Sequence, residues 1–209
     1  TLLVLLQAQT APLPAPSLAA TFDRGSINAT LVAPAGKVEW AFIRAGGWQA
    51  NRDDWQTTWQ LETADWSVAM LGFETSPRAP TAAEAAAFKL GKNARVWSSS
   101  AGLVRRSGAE GASPIATSSA GLRFELQLLF DPTTRAGADI PIRVRAGDGA
   151  LYGVSVYVSI DNAKRPIVVT SDGNGNATIP HRAGNYRIWA WRVEDGDLYS
   201  SSLTYEVAP

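Results

Sequence analysis

Leu122-Arg-Phe-Glu-Leu-Gln-Leu128 is the stretch that decides the fold. Leu122, Phe124, Leu126 and Leu128 alternate with Arg123, Glu125 and Gln127, the two-residue period of a strand with one buried face and one wet face. Half-solvated strands belong to antiparallel sheets, so the chain is expected to be all-β. Towards the C-terminus the rhythm repeats. Ile140–Arg145, Gly153–Ile160, Pro166–Ser171, Ala177–His181, Tyr186–Val193 and Leu203–Val207 are short, apolar-rich segments separated by turn residues. Together they predict one antiparallel β-sandwich over residues 119–209.

Towards the N-terminus a second unit is expected over residues 21–118. Ser26–Val32 and Lys37–Ala45 read as strands joined by the turn Ala33-Pro-Ala-Gly36, with Val38, Trp40 and Phe42 on one face. Trp55–Thr63 and Trp66–Phe73 continue the β pattern, rich in aromatic and β-branched residues. Thr81-Ala-Ala-Glu84 is a capping box, so Ala82–Phe88 is expected to be the one short helix, with Gly91 placed to close it in the left-handed conformation. Arg95–Ser99 and Leu103–Arg106 read as two further strands, and Ser107–Ser119 as a Gly/Ala/Ser linker. The fold class is therefore two antiparallel β-sandwich-type domains with one short helix.

Residues 1–20 read as an apolar tail and a spacer. Thr1-Leu-Leu-Val-Leu-Leu6 running into Gln7-Ala-Gln-Thr10 has the look of a secretory apolar core followed by small residues. Leu2, Leu3, Val4, Leu5 and Leu6 are far fewer than the roughly 20 apolar residues a bilayer span needs. They are expected either to form a first strand or to dock on a partner or membrane surface. Ala11-Pro-Leu-Pro-Ala-Pro16 is a stiff polyproline-type spacer. Membrane contact, if any, would run through this tail alone.

Composition narrows the chemistry. The 209 residues are 45% hydrophobic, enough for a sizeable core, and 19 basic residues balance 19 acidic ones. Without a basic face, nucleic acid is not an expected partner. Cysteine is absent, which excludes disulfides, thiolate metal sites and thiol catalysis. His181 is the only histidine, so a site that gathers several imidazoles cannot form.

From Pro141 onward the chain resembles the bacterial Ig-like (invasin/intimin-type) and related prealbumin-like repeat families. The residues that carry the likeness are Pro141-Ile-Arg-Val-Arg145, the turn Gly147-Asp-Gly149, Gly153-Val-Ser-Val-Tyr-Val158, Thr170-Ser-Asp-Gly-Asn-Gly-Asn-Ala-Thr178 and Ala183-Gly-Asn-Tyr-Arg-Ile-Trp-Ala190. The likeness covers roughly residues 138–209. It implies an Ig-like sandwich, display in the cell envelope, periplasm or cell surface, and no enzymatic activity. Copper–zinc superoxide dismutases are also exported sandwiches, but the lone histidine opposes a dismutase-like metalloenzyme.

Three sets of candidate binding residues stand out. Trp48, Trp55 and Trp59 lie around the polar run Asn51, Arg52, Asp53 and Asp54, which is the make-up of a sugar-stacking platform with edge partners for hydroxyls. The competing reading is that these tryptophans fill a core or anchor an interface. Trp48 and Trp55, which flank the loop Gln49–Asp54, are expected to be the more exposed. Asp172, Asn174 and Asn176 place oxygens at alternate positions, as calcium loops do, and Glu194, Asp195 and Asp197 form a second acidic loop. A tight hairpin explains both equally simply. No cofactor is expected other than such a Ca²⁺. The partner classes left are other envelope or surface-layer proteins, a second copy of the chain, and cell-wall polysaccharide. A structural or interaction subunit is the first functional reading, and a carbohydrate-binding module the second.

Overall fold

The computed structural model describes residues 16–32, 37–53, 55–61, 66–133 and 139–208. Leu2 to Leu6, the turn at 33–36, Asp54 and residues 62–65 lie outside the described residues. Among the described residues the protein is all-β, with three sheets and two short helices.

An N-terminal hairpin, β1 (Ser17–Asp23) and β2 (Ser26–Val32), is extended by β5 (Thr58–Gln60) into a three-stranded sheet. The second sheet has eight strands. β3 (Val38–Ala45), β4 (Trp48–Arg52), β6 (Val68–Thr75) and β7 (Val96–Arg105) join β11 (Ser155–Ile160), β12 (Ile167–Thr170), β14 (Gly184–Glu194) and β15 (Asp197–Val207). Their order is β12-β11-β14-β15-β7-β6-β3-β4, so residues from both sides of position 118 share one sheet. The third sheet is built on β9 (Ile140–Ala146), with β8 (Phe124–Leu128) on one side and β13 (Asn176–Ile179) and the two-residue β10 (Gly149–Ala150) on the other. The helices are α1 (Ala82–Phe88) and α2 (Pro114–Thr117).

The eight-stranded sheet is the middle layer. On one face Phe42, Met70, Leu103, Val156, Val158, Ile188 and Leu203 pack against Phe124, Leu126, Ile140, Ile142 and Val144 of the third sheet. On the other face Ala41, Ile43, Leu71 and Phe73 pack under Leu18, Ile27 and Trp59 of the N-terminal sheet. Further along that face Val96, Trp189, Trp191 and Leu198 lie beneath Phe88 and Leu90, which α1 brings down. Strands buried on both faces are expected to read as apolar runs rather than alternations, and Val68–Phe73 does.

Among the described residues all strand pairings are antiparallel except one. β15 runs parallel to β7, Leu198–Thr204 beside Val96–Gly102, and this seam holds the two halves of the middle sheet together. It is made of serines: Ser98, Ser99 and Ser100 face Ser200, Ser201 and Ser202. The Oγ atoms of Ser100 and Ser202 are 2.6 Å apart, and Ser200 Oγ donates to Ser98 Oγ at 3.0 Å. Ser202 and Thr204 donate their hydroxyls to the Pro16 and Leu18 carbonyls, tying β1 over the seam. Gly102 lets it lie close, since a Cβ there would stand 3.0 Å from Leu18 Cδ2.

Several expectations need correction. Residues 17–20, read as spacer, belong to β1. Gln49–Arg52, read as part of the loop Gln49–Asp54, belong with Trp48 to the end strand β4, closed to β3 by a Gly46-Gly47 turn. Arg95–Ser99 and Leu103–Arg106 are one strand, and β15 begins at Asp197 rather than Leu203, because pairing carries the serine runs that β propensity alone disfavours. Val38 faces the N-terminal sheet while Trp40 and Phe42 face the third sheet. A bulge between Val38 and Trp40 turns the strand over. α1 is closed by Lys89, whose φ of 53° takes the left-handed cap expected of Gly91. The linker 107–119 contains α2 and buries Ser113, Ile115 and Ala116. Glu125, expected wet, is 2% exposed: it accepts from Ser119 Oγ and the Ala120 and Gly121 N–H groups, so the incoming chain covers the face that alternation left open.

Candidate functional site

The tryptophans around Asn51 do not form one platform. Trp59 is 3% exposed, donates Nε1–H to the Gln56 carbonyl at 3.1 Å and fills the core beneath the N-terminal sheet. Trp55 is half-buried edge-on to Phe73, ring centroids 5.8 Å apart, and Trp48 packs half-buried on the same cluster. Asn51 and Asp53 are exposed. Asn51 accepts from Gln49 Nε2 at 2.9 Å, in a polar row with Arg44, on the strand face opposite to Trp48 and Ala50. The alternation of β4 therefore separates the aromatic residues from the hydrophilic ones that the sequence sets side by side.

The expected hairpin holds for one loop only. Glu194–Asp197 joins the paired strands β14 and β15, whereas Asp172–Asn176 is a tight turn that carries the chain from β12 in the middle sheet to β13 in the third sheet, closed by its own side chain and backbone. Asp172 Oδ1 accepts from the Asn174 and Asn176 N–H groups at 2.8 and 2.9 Å, and Asn176 Oδ1 accepts from Arg143 Nε at 3.1 Å. Asn174 is exposed at the tip. In the other loop Asp195 and Gly196 both have positive φ, as a two-residue type I′ turn requires. Asp197 accepts from the Arg95 N–H and from Trp97 Nε1, and Glu194 pairs with Arg192. Among the described residues, no three His, Asp or Glu side chains converge as a metal site.

The buried ionisable groups also serve the backbone. Asp131 accepts from the Ser113 and Thr133 N–H groups at 2.7 and 2.9 Å and from the Thr133 hydroxyl at 2.6 Å. Glu84 accepts from Thr81 and from both terminal nitrogens of Arg78. His181, 8% exposed, contacts the Pro132 carbonyl through Nε2 at 3.2 Å.

Aromatic side chains gather instead at two places that sequence order does not suggest. At the C-terminal end of α1, Phe88, Tyr157 and Trp191 line a cleft of about 330 Å³ together with Ser155 and Arg192. Phe88 and Trp191 have ring centroids 5.3 Å apart, and Tyr157 stacks on Trp189 at 5.7 Å. On the opposite face the cross-strand neighbours Trp97 and Tyr199 lie nearly parallel, 6° between planes, with the Arg123 guanidinium 3.9 Å over Trp97. Tyr199 is held above the ordinary tyrosine value by burial and then by Asp197 and Glu194 nearby. A cluster of ring faces edged by a hydroxyl and a guanidinium binds flat, partly apolar groups such as a sugar ring or an aromatic side chain. The signal for it was present in the alternation of Tyr157, Trp189 and Trp191, but only strand order brings Phe88 to them.

A wider groove of about 890 Å³ runs beside β1. Its Arg105 is committed to the Ala109 and Gly111 carbonyls and the Thr133 hydroxyl. No helix among the described residues is long and apolar enough to cross a membrane.

No family model matches the chain, and no curated protein matches it. It is similar, at 11% identity and a TM-score of 0.25, to a solved structure concerned with host cell surface retention of a 1.5-MDa bacterial ice-binding adhesin. That alignment covers 87% of this chain and 57% of the other, so the chain spans little more than half the length of that neighbour.

Proposed function

We propose that this chain is a non-catalytic interaction module of an exported surface protein, with the eight-stranded sheet as its strut and the Phe88–Tyr157–Trp191 cleft as a contact site. The observation that carries the reading is the employment of the buried acids. Glu84, Glu125 and Asp131, all 5% exposed or less, each accept two or more hydrogen bonds that cap helices or fix loops. Catalytic carboxylates are kept poised for a proton or a nucleophile instead. Export and surface display belong to the same proposal and rest on the resemblance of residues 138–209 to bacterial Ig-like repeats and on the apolar run at Leu2–Leu6.

Cross-linking of the protein in its native envelope tests this. Lys89 and Lys92 stand beside the cleft in sequence, at the exposed end of α1. Links from them to another envelope or surface protein support the module and identify its partner. Links only within the chain, with the protein free in the soluble fraction, defeat it. Retention on wall polymer without foreign links favours a second reading, a carbohydrate-binding module. The three convergent rings of the cleft support that alternative. Quenching of tryptophan fluorescence by soluble wall polysaccharide, lost in Trp191→Ala, would establish it.

A further inference from the structure

The middle sheet ends in β12, which among the described residues pairs only with β11. The Ser171 N–H donates to the Val154 carbonyl at 3.0 Å, and the Ser171 carbonyl accepts from the Gly153 N–H at 2.9 Å. In an extended strand the N–H and C=O of one residue point to one side and those of the next to the other. Ser171, Val169 and Ile167 thus address β11, while Val168 and Thr170, with the Pro166 carbonyl, direct theirs outward. Natural sheets guard such an edge with charges, bulges or a covering segment. β12 reads Ile-Val-Val-Thr, carries no charge or bulge, and leaves Ile167 39% and Val168 43% exposed.

We propose that β12 pairs antiparallel with β12 of a second copy of this chain, about a twofold axis at Val168. Residues directly opposite in an antiparallel pair must both point outward or both inward, which limits the possible registers to alternate positions. Centring on Val168 sets Ile167 against the other copy's Val169 and the two Val168 residues against each other. Four backbone bonds then form: two between the Val168 residues, and one from each Thr170 N–H to the other copy's Pro166 carbonyl, where proline's missing N–H is not called on as donor. The flanks agree. Lys164 and Arg165 precede β12 and Asp172 follows it, so antiparallel pairing brings the basic end of one copy to the acidic end of the other. A surface complementary to itself is what an isologous dimer needs. The inference deepens the interaction role proposed above, on which it rests, by naming one partner; it does not depend on what the cleft holds.

The chain lacks cysteine, so Val168→Cys introduces its only thiol. Opposite residues of a hydrogen-bonded pair have Cα atoms about 5.5 Å apart, inside the range of about 4.4–6.8 Å that a disulfide spans. Mild oxidation is expected to convert Val168→Cys to a covalent dimer, while Val193→Cys, at a site 47% exposed elsewhere, stays monomeric. In sedimentation the unmodified chain is expected to approach twice its 22.2 kDa mass as concentration rises. Val168→Lys sets two charges face to face, and Val168→Pro removes a donor that only the outer edge uses. Each is expected to weaken self-association about tenfold or more, with an unchanged circular-dichroism melt. A chain that sediments as a monomer throughout, equal cross-linking of the two cysteine variants, or a dimer that survives both Val168→Lys and Val168→Pro overturns the proposal. Those outcomes leave the envelope cross-links from Lys89 and Lys92, and so the reading of the module, standing.

Discussion

Phe42 lies against Gly72 on the neighbouring strand, and that contact shows what a single residue decides here. A Cβ at Gly72 would come within 2.3 Å of Phe42 Cε1 and 2.8 Å of Cζ, well inside contact distance. Gly72→Ala is therefore expected to destabilise by about 1–3 kcal/mol through overpacking. Much of that should return in Gly72→Ala with Phe42→Leu, measured by urea denaturation. Tyr205 offers the opposite case. It is 4% exposed, stacks on Tyr186 at 4.7 Å, and its hydroxyl has no hydrogen-bond partner among the described residues. Burial, and then Tyr186, hold its ionisation well above the ordinary value of 10.0. Tyr205→Phe removes a buried unpaired group and is expected to stabilise by about 1 kcal/mol. A tyrosine raised on folding loses stability as pH climbs past its unfolded value, so the variant should also resist alkali better, as thermal melts between neutral and strongly alkaline pH would reveal. That Phe42, Leu126 and Ile188 are core was legible in their alternation. That Glu125 is buried beside them was not, because its cover comes from residues 119–121.

At the scale of the element, α1 is the part best read in advance, since its start is coded by four consecutive residues. Thr81 Oγ1 accepts from the Glu84 N–H at 3.2 Å, and Glu84 returns the bond to the Thr81 N–H at 2.8 Å. Arg78 is the unannounced partner, bonding both carboxylate oxygens at 2.8 and 2.6 Å. Burial by itself would raise the Glu84 carboxyl. The bonds from Arg78 and Thr81 more than offset that, leaving it below its ordinary 4.5. A lowered carboxylate stabilises fully above its unfolded value and ceases to do so as pH falls through its folded one. Glu84→Gln is thus expected to cost about 1.5–3 kcal/mol near neutrality, with the gap to the unmodified protein closing below pH 4.5, as melting temperatures over an acid series would show. The candidate site lies at this scale too. Phe88 is the last residue of α1, and the cleft exists because the cap fixes where that helix stops.

For the whole molecule, the eight-stranded sheet has a thermodynamic consequence. β15 finds its neighbour in β7, 102 residues earlier, and the serine seam between them joins strands from both halves. The chain is expected to unfold in one transition, with a calorimetric enthalpy close to the van't Hoff value. The fragment 119–209 alone should fail to hold a cooperative fold, because it exposes the β15 edge; scanning calorimetry on both distinguishes this from two independent units. The sequence by itself determined the all-β class, most strand positions, the helix α1 with its capping box and the absence of thiol and multi-histidine chemistry, since period, turn residues and composition are local properties. It also placed Pro166–Ser171 as an apolar-rich strand between turns, though it did not place that strand at the edge of a sheet. Only the tertiary structure decided that the halves share a sheet, that Trp59 is core and that Phe88 meets Tyr157 and Trp191. It likewise decided that the serine runs are strands. Backbone hydrogen bonds between strands carry no residue identity, so which strands become neighbours is settled by the packing of the whole chain.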